Sequence, residues 1–206
     1  MSDDTYRTVA GAADAEITVD GSRFWAAVRP AHDRDGVRST LETIRGEAYD
    51  ATHHCSAYRL GREGDTFHYD DDGEPSGTAG RPILRQIDGR NVTNTLVVVA
   101  RYFGGTKLGT GGLARAYGRA AGEALDRAGA TTCVVRVPLR IRYRYEDTNP
   151  AEQILRRFDV EEVESTYTDV TEKTVAVRKG QAVAFREAFR DALGGRGEIC
   201  TPPERE

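Results

Sequence analysis

The stretch that decides the fold is Asn94–Ala130, "NTLVVVARYFGGTKLGTGGLARAYGRAAGEALDRAGA". Its first third is a continuous apolar run, which suits a strand covered on both faces. Its last third places Leu113, Tyr117, Ala121 and Leu125 on one side of a helix, with Gly129 as a stop. Between them, five of the nine residues from Gly104 to Gly112 are glycine. Backbone that bare either turns a tight corner, where chains pass too close for a Cβ, or presents unhindered N–H groups to an anion at a helix start.

Working outward, "EITVDGSRFWAAVRP" reads as two strands around Asp20-Gly21. Val37, Leu41 and Ile44 follow at helical spacing, with Asp33 or Asp35 as cap. "HHCSAYRLG" reads as a strand, "TFHYDDDGEPSGTAGRP" as a polar loop, and "PILRQI" as helical turns that tolerate Pro82 near their start. Downstream, Pro138 lies between two apolar runs where it would interrupt a ladder, so a boundary is expected near Arg136. Beyond it come a strand over 139–145, a helix opened by Asn149-Pro150, strands in "VEEVESTYT" and "KTVAVRK", and a helix "QAVAFREAFRDAL" before Gly194-Gly195. That β-α-β-β-α order is ferredoxin-like. The expected class is α+β, with domains at residues 1–136 and 137–206.

Composition narrows the function. The 206 residues carry 29 basic and 33 acidic groups, a net charge of −4. That argues against a surface coated for nucleic acid but permits one basic patch. Lys occurs only at 107, 173 and 179; the remaining basic residues are Arg, which grips phosphate and carboxylate bidentately. No apolar run reaches membrane-spanning length. The acidic start, "MSDDTYRTVAGAADAE", lacks the apolar segment of a signal peptide. Cys55, Cys133 and Cys200 are few and far apart, as reduced thiols are. A cytoplasmic protein without a membrane partner is expected.

Four stretches could carry chemistry. The glycine segment is not a Walker A loop. Gly109–Ala114 fits GxGxxA, but it does not directly follow the strand, and no acidic residue ends a second strand about 20 residues on. Thr110 reads as the helix N-cap, with Lys107 and Arg115 adding charge. His53, His54, Cys55, His68 and Asp70–Asp72 are metal-ligand types without ligand spacing, so no metal and no cofactor is assigned. Glu74, His54 and Cys55 are candidate acid, base or nucleophile, and "DGEPSG" also reads as a plain turn. In "LRIRYRY", Arg140, Arg142 and Arg144 share one strand face, opposite Leu139, Ile141, Tyr143 and Tyr145. Glu162 and Glu164 are expected to neutralise the Arg ladder.

"DDDGEPSGTAGRPIL" followed by "VVVARYFGGTKLGTGGLARAYGRAA", with "SRFWA" and "HHCSAYRLG" upstream, resembles the IMPACT family of the bacterial YigZ-like type. The resemblance covers nearly the whole chain. It implies a first domain like the second domain of ribosomal protein S5 and a second like the last domain of translocating elongation factors. Eukaryotic relatives regulate translation through an additional N-terminal domain, so that mechanism does not transfer. The matching positions define a candidate surface: His54, Cys55, Asp71, Asp72, Gly73, Glu74, Pro75, Ser76, Gly77, Thr78, Gly80 and Arg81, then Arg101, Tyr102, Gly104, Gly105, Lys107, Gly109, Thr110, Gly111 and Gly112. The expectation is a non-enzymatic, translation-associated protein that binds RNA, the ribosome or an anionic partner there, with no DNA sequence specificity. Arg81, Arg101 and the loop N–H groups would hold phosphate, and Tyr102 or Phe103 would stack a base. An enzyme acting on a phosphorylated or nucleotide substrate, or a pure protein-interaction module, is the alternative. The oligomeric state is left open.

Overall fold

In the computed structural model, which describes residues 4–201, the chain runs β1 (Thr5–Val9), β2 (Ala13–Val19), β3 (Ser22–Pro30), α1 (Arg34–Glu47), β4 (His53–Leu60), β5 (Thr66–Asp70), α2 (Gly80–Gly89), β6 (Thr95–Tyr102), α3 (Gly109–Ala128) and β7 (Ala130–Val134). It continues with β8 (Arg136–Arg144), α4 (Thr148–Arg157), β9 (Val160–Tyr167), β10 (Val170–Arg178), α5 (Ala182–Ala192) and β11 (Glu198–Cys200). Tyr6–Cys133 form one compact unit, and residues 134–201 with residues 4 and 5 form another. The outer ends of the two expected domains, residues 1–3 and 202–206, lie outside the described residues.

In the first unit a five-stranded sheet has the order β2-β3-β6-β4-β5, with every neighbouring pair antiparallel. The apolar run is its middle strand. Val97 and Val99 join the core beneath α2 and α3, while Leu96 and Val98 face the core beneath α1. All four are fully buried, each worth roughly 2 kcal/mol of transfer free energy. Asp33 caps α1, its carboxylate accepting from the Gly36 N–H at 2.7 Å. Thr66–Asp70, expected as loop, is the edge strand β5, paired to β4 in the register Tyr58↔His68. Backbone pairing and the approach of α2 hold it there: a Cβ on Gly80 would lie 2.7 Å from the Asp70 carbonyl oxygen.

The second unit is a βαββαβ sheet ordered β11-β8-β10-β9, one strand more than the sequence suggested. Leu139, Ile141 and Tyr143 face a core shared with Phe185 and Phe189 of α5 and Ile154 of α4. Pro138 lies inside β8, two residues after the strand begins at Arg136. The ladder survives because β11 covers only Arg140–Arg142, leaving one side of Pro138 on an open edge. Asn149 is not a cap: a 3-10 turn at Tyr145–Asp147 carries the helix start back to Thr148. Tyr145 therefore leaves the inner face and is exposed. Glu162 is not among the partners of the Arg ladder, and β10 rather than β9 borders β8. Arg142 meets Glu172 at 3.3 Å and Glu198 at 3.7 Å.

Glu162 turns to the inner face, where the buried Lys173 ammonium donates to it and to Glu152, both at 2.7 Å. Those bonds hold Lys173 above its ordinary 10.5 against desolvation, and Lys173 and Ser165 hold Glu162 below its ordinary 4.5. The raised Lys173 stabilises below pH 10.5 and loses that contribution as pH climbs through its folded value. The depressed Glu162 stabilises above pH 4.5 and loses it on acidification. Lys173→Met is expected to lower stability by about 1–2 kcal/mol, since the two carboxylates it leaves are partly solvated. Urea titration by circular dichroism checks this, and the deficit should shrink below pH 4.5.

Candidate functional site

The acidic motif folds around Asp71. Its carboxylate accepts from the N–H groups of Gly77 (2.7 Å), Ala79 (3.0 Å) and Gly80 (2.8 Å), closing the turn and neutralising the start of α2. Its carbonyl accepts from the Cys55 thiol at 3.0 Å. Asp72 binds the other way: its carboxylate accepts from the His54 N–H at 2.7 Å and from Arg45 at 3.2 Å, and its carbonyl accepts from His53 Nδ1 at 2.7 Å. His54 Nε2 donates to the Ala48 carbonyl at 2.9 Å. Thr78 closes the turn by donating to the Pro75 carbonyl at 2.6 Å. Gly73, Pro75 and Ser76 are exposed, and Gly77 is half-buried.

The two motif segments meet at Glu74. Arg101, at the end of β6, turns inward, and its Nη1 donates to Glu74 Oε1 at 2.6 Å. The Tyr117 hydroxyl, from α3, donates to the same oxygen at 2.8 Å. Only 8% of the Arg101 side chain and 4% of the Glu74 side chain is accessible. Arg101 Nη2 reaches Ser22 Oγ at 3.5 Å, and its guanidinium lies between the Phe24 and Phe103 rings at 5.6 and 5.5 Å. The Phe24 ring meets Tyr117 edge-on, at 5.1 Å and 87°. The guanidinium that the sequence suggested for phosphate is therefore engaged by a carboxylate of the other motif.

Gly104 crosses the β2–β3 hairpin. A Cβ there would lie 1.9 Å from the Gly21 carbonyl carbon, which no side chain survives, and the Gly104 N–H donates to Ser22 Oγ at 3.2 Å. From Gly109 onward the glycine stretch is helix, not loop. Thr110 is consequently not the N-cap; it sits in the first turn, and Leu108 takes the cap position with no side-chain acceptor. Gly105, Lys107, Gly109, Thr110 and Gly111 are exposed, Gly112 is half-buried, and Arg81 is exposed on the first turn of α2. Tyr102 is half-buried beneath the Arg23 guanidinium at 3.9 Å. Burial and the nearby Asp50 carboxylate raise its phenol above 10.0.

The three candidate catalytic groups are all engaged. Cys55 is fully buried and pushed up to about 12 by desolvation, against a lowering bond from Tyr117, with the Glu74, Asp72 and Asp71 carboxylates adding to the rise. Glu74 accepts from two donors, and His54 is bonded through Nε2. Sequence reasoning missed Tyr117 and Ser22 as members of this cluster. A Tyr on the inner face of a helix needs a partner for its hydroxyl, so Tyr117 carried a signal. Ser22 carried none.

A family model described as the Impact N-terminal domain matches residues 20–125, and one described as a domain of unknown function (DUF1949) matches residues 141–196. The chain is 35% identical over 198 residues to "IMPACT family member YvyE" of Bacillus subtilis (strain 168), covering 95% of this chain and 90% of that one. It is 32% identical to "IMPACT family member YigZ" of Escherichia coli (strain K12), covering 84% and 86%. "Protein IMPACT homolog" of Saccharomyces cerevisiae is 35% identical over 98 residues, only 37% of that protein's length. A solved structure described as "Crystal structure of an hypothetical protein" superposes with a TM-score of 0.71 at 28% identity, over 98% of this chain and 99% of its own.

Arg101→Met is expected to destabilise by about 3–5 kcal/mol, because it strands a buried carboxylate, while adding Glu74→Leu should restore most of the loss. Trp25 fluorescence during urea unfolding reads both; an Arg101→Met protein as stable as the parent would refute the role given to the pair. Cys55 should resist thiol reagents in the folded protein while the exposed Cys200 reacts. Its raised value also means that the unfolded thiol ionises near pH 9.0 while the folded one does not, so this group erodes stability as pH rises above that point.

Proposed function

Because the chain belongs to the IMPACT family, we propose that it works by binding rather than catalysis, and that the first turn of α3 receives a phosphate-bearing partner, RNA free or within the ribosome. The observation that carries this reading is electrostatic. The first turn of α3 contains no acidic residue and has no capping side chain. The other two helices of the unit differ: Asp33 satisfies α1, and Asp71 satisfies α2. At α3 the positive end of a 20-residue helix is instead joined by more positive charge. Arg115 Nη1 lies 3.4 Å from where a Cβ of Gly111 would be, and exposed Lys107 lies just ahead of the helix. Cations at that end of a helix dipole are unfavourable until an anion joins them.

Phe103, 51% exposed in the segment that leads into this turn, offers a ring on which a base can stack. The buried Arg101–Glu74 pair then holds the platform rather than the ligand. A base or nucleophile drawn from Glu74, His54 or Cys55 would first have to leave the partners described above, which favours binding over an enzyme. A cytoplasmic location fits three cysteines that form no disulfide. No helix among the described residues is long and apolar enough to cross a membrane.

Fluorescence anisotropy with a short single-stranded RNA is expected to show affinity falling steeply from about 50 to about 200 mM salt, each phosphate contact adding roughly 0.7 to the log–log slope. Lys107→Glu with Arg115→Glu should abolish it. Gly111→Asp should abolish it too, while leaving thermal stability equal or higher, since an acid then caps the dipole. No binding at low salt, or unchanged affinity in these variants, would sink the proposal.

A further inference from the structure

Sheet edges carry unpaired N–H and C=O groups, and folded proteins blunt them with charge, bulges, short strands or side-chain caps. Of the four edges of the two large sheets, three are blunted in these ways. The β9 edge carries Glu161, Glu162 and Glu164 and a bulge opposite Thr174/Val175. The β11 edge is three residues long. At β2 the outward Asp14 carbonyl accepts from Arg127 at 2.9 Å.

Among the described residues the β5 edge has no bulge and no side-chain cap, and its one charged residue is Asp70 at its end. Thr66-Phe67-His68-Tyr69-Asp70 contains no Pro, Lys or Glu, and pairs with β4 without a register shift. Phe67 and Tyr69 share one face and are 54% and 40% exposed. Phe67 is also set in place: the Arg59 guanidinium lies 5.2 Å from its ring and is itself fixed by Asp88 at 2.7 Å.

We propose that β5 is a dimerisation edge, pairing antiparallel with β5 of a second copy of this chain about a two-fold axis at His68. The strand is self-complementary in that register. Continuing a sheet requires that directly opposed residues share a face, so the axis must pass through a residue, and only His68 opposes all five. Phe67 then faces Tyr69 of the second copy, and Tyr69 faces its Phe67. Two aromatic cross-strand pairs form on one face, a pairing that stabilises antiparallel ladders. The small Thr66 faces Asp70 at each end. A heterologous segment would have to match those aromatic positions, whereas a second copy matches them by symmetry.

This inference stands apart from the anion-binding proposal. A single short edge implies a weak contact, so sedimentation velocity of the full chain should show monomer near 1 μM and dimer by about 100 μM. Tyr69→Lys puts a charge opposite Phe67 and should weaken the dimer at least about tenfold, with an unchanged circular dichroism spectrum. A short bis-maleimide should cross-link the His68→Cys protein into dimers well above the parent background, and the Thr66→Cys protein poorly, since Thr66 does not face itself. A chain monomeric at the highest concentration, a dimer indifferent to Tyr69→Lys, or equal cross-linking from both positions would overturn the proposal.

Discussion

The ion pair between Arg101 and Glu74 ties together parts of the chain that lie far apart in sequence. Arg101 ends the central strand, Glu74 sits in the turn before α2, and Tyr117 adds α3 through the same carboxylate oxygen. Burying two opposite charges is not favourable in itself; a well-packed apolar pair of the same volume would often serve stability as well. What the pair supplies is direction. A carboxylate that must find both a guanidinium and a phenol admits one arrangement of turn, strand and helix, and the acidic motif and the glycine segment are registered by it.

Much of the surrounding motif serves that arrangement. Asp71 closes the turn and caps α2, Asp72 holds the start of β4, Gly80 lets α2 approach β5, and Gly104 lets the chain cross the β2–β3 hairpin at backbone distance. Once these groups are assigned to structure, the exposed remainder is small: Gly73, Pro75, Ser76 and Arg81 on one segment, Phe103 to Lys107 and Gly109 to Gly111 on the other. That remainder is basic and bare, and it is where the proposed partner finds N–H groups and positive charge together. Distinctive residues are thus divided between those that build the platform and those left to face outward.

The second unit repeats the lesson with different chemistry. Its Arg ladder lies on one face of β8 as strand alternation requires, yet Arg142 takes its carboxylate partners from β10 and β11, and Arg144 meets Glu146 just beyond its own strand at 3.7 Å. Lys173 draws Glu162 to the helix-covered face instead. Which glutamate neutralises which arginine depends on strand order, and strand order is a long-range property.

The sequence by itself determined the class and most of the elements. An unbroken apolar run could only be a strand covered on both sides, the helical spacing around Tyr117 could only bury one stripe, and the ferredoxin-like order followed from periodicity and turn residues, because these signals are local. Tertiary structure alone decided what the polar groups do. It turned Arg101 from an anion grip into the partner of Glu74, moved the helix start ahead of Thr110, made an edge strand of Thr66–Asp70, and set Pro138 inside a ladder. In each case the deciding partner lies far away in the chain or across a sheet. A buried charge or an unpaired backbone group is satisfied by whatever the fold brings near, which no local pattern encodes.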